Sequence, residues 1–179
     1  MKALVREVYG GPEEISVKDL PITELGRDEV EVRIHYATVS RTDCGILYGL
    51  PKLLRLFIGW NKPRRPVLGS DFSGIVSKVG LKVKNFQVGD RVFGFNDEGL
   101  SSYATSLKIS SKGLICKVPD KTSLVDAVAS TEGAHYALCT LKKISLMKNS
   151  KVLLLGATGS MVQPHYKSLK PNALPPMSQ

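Results

Sequence analysis

Gly156 and Gly159 carry the first chemical signal in this chain. They follow the apolar run Val152, Leu153, Leu154 and Leu155, so a β-strand feeds a turn made by Gly156, Ala157, Thr158 and Gly159. Such a turn lets backbone amides approach the pyrophosphate of a dinucleotide, and the N-terminus of a succeeding helix adds its dipole. Two glycines alone do not distinguish a nucleotide cradle from an ordinary tight turn. The residues after Ser160 also depart from the pattern. Val162 stands where a third small residue would let helix and strand pack closely, and Pro164 and Pro171 fall where a helix would propagate. The expectation is a dinucleotide-binding unit that starts near residue 151 and is not continued, with residues 161–179 irregular and Pro-rich. A cofactor held by the turn alone would bind very weakly, so the 179-residue chain is expected to be inactive by itself.

Other reactive side chains are dispersed. Cys44, Cys116 and Cys139 are odd in number and far apart, which argues against a disulfide framework and fits a reducing, cytoplasmic setting. A net charge of +9 invites a nucleic-acid reading. Most of the excess, however, sits in two short stretches: Lys52, Arg55, Lys62, Arg64 and Arg65 in residues 50–66, and Lys167 and Lys170 in the tail. Base-stacking aromatics spread along a basic face are missing, with only Phe57 and Trp60 near the first cluster. A solvated loop is the expectation, with no nucleic-acid and no membrane partner. The apolar, basic run from Leu50 to Trp60 is too short to span a bilayer.

The elements that would position this chemistry are mostly strands. Residues 2–9 and 13–20 read as two strands separated by Gly10, Gly11 and Pro12. Residues 29–37 alternate, placing Val30, Val32, Ile34 and Tyr36 on one buried face. A short helix is expected after residues 40–43, capped by Thr42 or Asp43 and ended by Gly49. Further β-runs at 73–79, 90–95 and 114–118 are punctuated by glycines, which indicates a small barrel or sandwich. From Ser123 the period changes to helical, with Leu124, Val128, Ala129, Ala134, Ala137, Leu138 and Leu141 as the apolar set.

The order of these motifs resembles the medium-chain dehydrogenase/reductase superfamily, in its zinc-independent quinone oxidoreductase-like branch. The resemblance rests on Met1-Lys-Ala-Leu-Val, Val39-Ser-Arg-Thr-Asp43, Pro66-Val-Leu-Gly-Ser-Asp71-Phe-Ser-Gly74, Val88-Gly-Asp-Arg-Val-Phe-Gly94, Glu132-Gly-Ala-His-Tyr-Ala-Leu138 and the turn at 156–159. It implies a mainly β (α+β) chain: a GroES-like β-barrel over 1–122, then linker helices and the first strand and glycine turn of an incomplete Rossmann unit over 123–160. It also implies NADPH or NADH as cofactor, with hydride passing to a quinone, an enone or another conjugated carbonyl. Members of the family are often homodimers. The zinc-dependent members carry Cys where Ser40 stands and a His-Glu pair where Ser70 and Asp71 stand, so no zinc is expected.

By the same resemblance Ser40 and Thr42 line the cleft, with Thr42 as either a proton-donating hydroxyl or a helix cap. Arg41 either reaches the cofactor pyrophosphate or makes a surface ion pair. Gly133 joins Gly156, Ala157, Thr158 and Gly159 as cofactor contacts. His135 and Tyr136 stand near the nicotinamide side of the cleft, with His135 read as a satisfied core or supporting side chain ahead of a catalytic one. Phe57 and Trp60 belong to a lid over an apolar substrate, to a packed loop or, as the least favoured of three readings, to an interfacial membrane contact. Asp43 orients neighbouring amides, and Cys44 is expected to be a buried structural thiol. The alternative to a reductase is a non-enzymatic barrel fragment unable to hold a dinucleotide.

Overall fold

The computed structural model describes residues 1–21, 23–96, 101–143 and 151. The strand and glycine turn expected over 152–160 and the Pro-rich tail lie outside them. The chain divides into two compact units, residues 1–129 and 130–179.

In the first unit, β1 (Lys2–Arg6) pairs antiparallel with β2 (Ile15–Asp19) as a two-stranded sheet. The intervening segment contains a 3-10 turn at Pro12–Glu14 with the proline at its start, so β2 begins two residues later than its apolar pattern suggests. A five-stranded antiparallel sheet is built from β3 (Glu29–Tyr36), β4 (Asp71–Val79), β5 (Arg91–Phe95), β6 (Ser106–Ser110) and β7 (Ile115–Lys117), in the order β6-β3-β4-β5-β7. Bridges from Ala3 to Ala104 and from Val5 to Val67 tie the small sheet to segments flanking the large one.

Alternation along β3 works as expected for Val30 and Val32, both fully buried. They pack with Phe72, Val76, Phe86, Val92, Leu107, Ile109 and Ile115 in the main core. Tyr36 does not join them. A register shift between Ile34 and Tyr36 re-aims the end of the strand, and Tyr36 is exposed. Gly74 marks a close approach in the β3–β4 pair, since a Cβ there would lie 2.1 Å from the Arg33 carbonyl oxygen. β6 has no counterpart among the β-runs legible in the sequence. It buries only Leu107 and Ile109, two apolar positions outnumbered by Ser106, Lys108 and Ser110 between and beside them.

Helix α1 (Arg41–Tyr48) is capped by Ser40, not by Thr42 or Asp43, and ends at Gly49, whose φ of 62° is left-handed. A 3-10 turn at Lys52–Leu54 leads into a single helical turn, α2 (Arg55–Ile58). The long helix α3 (Leu124–Lys142) begins in the first unit, where the Ser73 hydroxyl donates to the Leu124 carbonyl at 2.8 Å. Its apolar stripe differs from the expected one. Ala127, Val128, Thr131 and Ala137 are buried, whereas Ala129 and Leu138 are exposed. A helix rich in Ala reads as apolar on more than one face, so its period does not select the buried one.

Candidate functional site

The expected site residues Ser40, Arg41 and Thr42 come together on the first turn of α1, and local hydrogen bonding explains why. Ser40 Oγ accepts from the amides of Thr42 at 3.1 Å and Asp43 at 3.4 Å. Asp43 Oδ2 accepts in return from the Ser40 amide at 2.8 Å, completing a capping box. Asp43 therefore orients amides as expected. Ser40 and Thr42 are half-buried and Arg41 is exposed. Among the described residues Arg41 has no carboxylate partner.

A second segment, residues 68–71, is bound to this turn through Tyr103. The Tyr103 amide donates to the Leu68 carbonyl at 3.0 Å, and its phenol donates to the Thr38 carbonyl at 2.7 Å. Thr38 Oγ1 donates to Asp71 Oδ2 at 2.8 Å. Gly69 permits the approach: its φ is 90°, and a Cβ would sit 2.2 Å from Ser102 Oγ. Burial, and then the neighbouring Asp43 and Asp71 carboxylates, push the Tyr103 phenol pKa well above the usual value of 10. Asp43, Ser70 and Asp71 are all buried.

The other end of α1 is held by cations. Buried Arg6 donates through Nη1 to the carbonyls of Leu47, at 2.9 Å, and Ile46. Arg55 donates to Gly49 at 3.1 Å and Tyr48 at 3.2 Å. Both guanidinium groups lie over the Tyr9 ring, at 5.0 Å and 4.4 Å from its centroid. Positive charge at a helix C-terminus and a carboxylate at its N-terminus both favour the dipole, so α1 is fixed at each end.

Elsewhere the expected residues divide between the two units. Phe57 and Trp60 are exposed, at 74% and 64%. Cys44 is exposed instead of buried, because α1 directs Asp43, Ile46 and Leu47 inward and leaves position 44 facing out. Cys116 and Cys139 are also free and exposed. In the second unit Gly133, His135 and Tyr136 lie on α3 and are half-buried. The His135 and Tyr136 rings meet edge-on at 5.5 Å, and His135 Nε2 lies 3.7 Å from Cys139 Sγ, one helical turn on. Gly156, Ala157, Thr158 and Gly159 lie outside the described residues. Sequence reasoning does not single out Tyr103, Thr38 or Arg6. Their partners are tens of residues away, and no short spacing announces them.

The model of the alcohol dehydrogenase GroES-like domain matches residues 26–148. The chain belongs to this family, within the medium-chain dehydrogenase/reductase superfamily, and is therefore a member of an oxidoreductase family. A highly reducing polyketide synthase of Alternaria alternata is 31% identical over 157 residues, 88% of this chain and 6% of that protein. The quinone oxidoreductase of Coxiella burnetii superposes with a TM-score of 0.72 at 25% identity, covering 83% of this chain and 46% of that one. The quinone oxidoreductase of Escherichia coli, solved with NADPH, superposes with a TM-score of 0.69 at 24% identity, over 84% of this chain and 43% of that one. The chain thus spans less than half the length of these two structures and a small part of the synthase. Among the described residues no helix is long and apolar enough to cross a membrane.

Proposed function

We propose that this chain supplies the substrate-side half of a NAD(P)H-dependent reductase that passes hydride to a quinone, an enone or another conjugated carbonyl, without zinc. The observation that supports the reading is the first turn of α1, where half-buried Thr42, exposed Arg41 and the positive end of the helix dipole share residues 40–43. The donor set does not suit zinc. Ser40 Oγ and Ser70 Oγ are hydroxyls, and the former already accepts two amides, while Asp71 takes the Thr38 hydroxyl. Zinc prefers thiolate, imidazole or carboxylate in a tetrahedral array. Conjugated acceptors spread the developing negative charge themselves and need no Lewis acid.

The nicotinamide cofactor supplies the hydride when bound, and Gly133, Gly156, Ala157, Thr158 and Gly159 are the residues assigned to hold it. Arg41, exposed and without a carboxylate partner among the described residues, presents a fork suited to its pyrophosphate. Thr42 holds a proton where the acceptor oxygen gains charge, and the positive end of α1 stabilises that charge. Tyr103 and the capping box fix the turn that carries Thr42. His135 and Tyr136 are assigned to the nicotinamide side of the substrate cleft.

The test monitors loss of NADPH absorbance with quinones and enones. The chain alone should give no turnover. Continued through a complete family-type Rossmann domain and returning strands, it should reduce at least one acceptor class without added metal. Thr42→Val in that protein should lower kcat about 10²-fold with KM little changed. A continued protein that acts only on alcohols and only with zinc would refute the reading.

A further inference from the structure

Residues 50–66 present exposed apolar and basic side chains together. Leu53, Leu56, Phe57 and Trp60 are exposed at 68%, 53%, 74% and 64%, and large apolar side chains grouped on a surface are stabilised by leaving water. Interleaved with them are Lys52, Lys62, Arg64 and Arg65, all exposed and all without an ion pair among the described residues. No acidic residue occurs in the stretch.

The display is held from beneath. Arg55 is turned inward onto Tyr9 and the carbonyls of Tyr48 and Gly49, the Tyr9 hydroxyl donates to the Gly59 carbonyl at 2.5 Å, and the Arg64 amide donates to Ile58 at 2.8 Å. Gly59, at a φ of 119°, is buried in the bend, where a Cβ would meet the Lys62 carbonyl. A backbone tied at these points holds the apolar side chains outward.

We infer that residues 50–66 dock this protein on the surface of an anionic lipid bilayer. Leu, Phe and Trp beside Lys and Arg suit the two layers of such a surface, with apolar side chains at the acyl boundary and cations among the lipid phosphates. An acidic protein would satisfy the four cations but would need a separate pocket for each large side chain, whereas a fluid bilayer accepts them without one. This inference does not rest on the proposed reductase activity.

The experiment uses the full 179-residue chain, whose single tryptophan is Trp60, so its emission reports on this surface alone. Vesicles of phosphatidylcholine mixed with phosphatidylserine should shift the emission to the blue and carry the protein in a flotation gradient. Vesicles of phosphatidylcholine alone should do neither, and added salt should reverse the shift. Replacing Lys62 and Arg64 together by Gln should weaken partitioning roughly 25-fold, at about fivefold per charge. Phe57→Ala should weaken it as well, with circular dichroism confirming that both variants fold. No shift with anionic vesicles, an equal shift with neutral ones, or a shift with polyglutamate but not with anionic vesicles would each overturn the inference.

Discussion

Replacing Ser40 by Ala removes the acceptor at the N-terminus of α1 and leaves its fold partners in place. Two amides turn to Ser40 Oγ, but only the Thr42 contact, at 3.1 Å, is of ordinary length, while the Asp43 contact is stretched to 3.4 Å. The reciprocal bond from the Ser40 amide to Asp43 Oδ2 at 2.8 Å uses backbone and survives the substitution. The loss should therefore lie near the middle of the range for a cap, about 1 kcal/mol, and not at its upper end of about 2 kcal/mol. Ser40→Gly should cost only a few tenths of that unit, since glycine lets water reach the freed amides. Ser40→Thr should be near neutral because it keeps the hydroxyl. Urea unfolding followed by circular dichroism reads these differences: with a slope of about 2 kcal/mol per molar, Ser40→Ala should lower the midpoint by about 0.5 M. Faster amide exchange at Thr42 should accompany the shift. An Ala variant as stable as the parent, or a Thr variant as unstable as Ala, would refute the assignment of Ser40 as the cap that fixes this turn.

The titrating groups give two further expected outcomes. Tyr103 should give an ultraviolet ionisation step well above the usual phenol value of 10, and Tyr103→Phe should remove that step. Its raised folded pKa means that its contribution is complete below the unfolded value near 10 and is lost as pH climbs through the folded one, so the parent should lose more stability than Tyr103→Phe in alkaline urea melts. At the acid end, partial burial of Asp90 opposes ionisation, but the Lys117 ammonium at 2.7 Å and the Gln87 amide at 2.9 Å outweigh it and hold its pKa below 3.8. That contribution is present above pH 3.8 and disappears as pH falls through the folded value, so Asp90→Asn should flatten the stability profile below about pH 4. An unchanged acid limb in Asp90→Asn would count against the pair.

Local pattern settles a good deal of this protein. Strict alternation over residues 29–37 is enough to place Val30 and Val32 in a core, because a strand has a period of two and each side chain must face one side or the other. Glycine at 49 ends α1, since the left-handed cap it adopts is a property of that residue. The order of motifs, from Val39 to Asp43, from Pro66 to Gly74 and from Val88 to Gly94, is sufficient for the family, which the match over residues 26–148 bears out. The choice of cap is less legible, as Ser40, Thr42 and Asp43 can all cap a helix and only the backbone at Ser40 takes the extended conformation required.

Tertiary structure decides what depends on distant partners. Tyr36 leaves the core because of a register shift against β4, and no property of residues 29–37 encodes it. β6 becomes a strand by pairing with β3, some eighty residues earlier, which supplies the hydrogen bonds its own short run cannot. Cys44 is exposed because its neighbours in α1 claim the buried face. Tyr103 reaches the α1 turn only after Gly69 has let two segments close on each other, and Arg6 meets the end of α1 across forty residues. Periods, caps and turns can be read from a linear pattern because they are interactions over a few residues; which buried polar groups meet is set by long-range closure, whose partners such a pattern does not name.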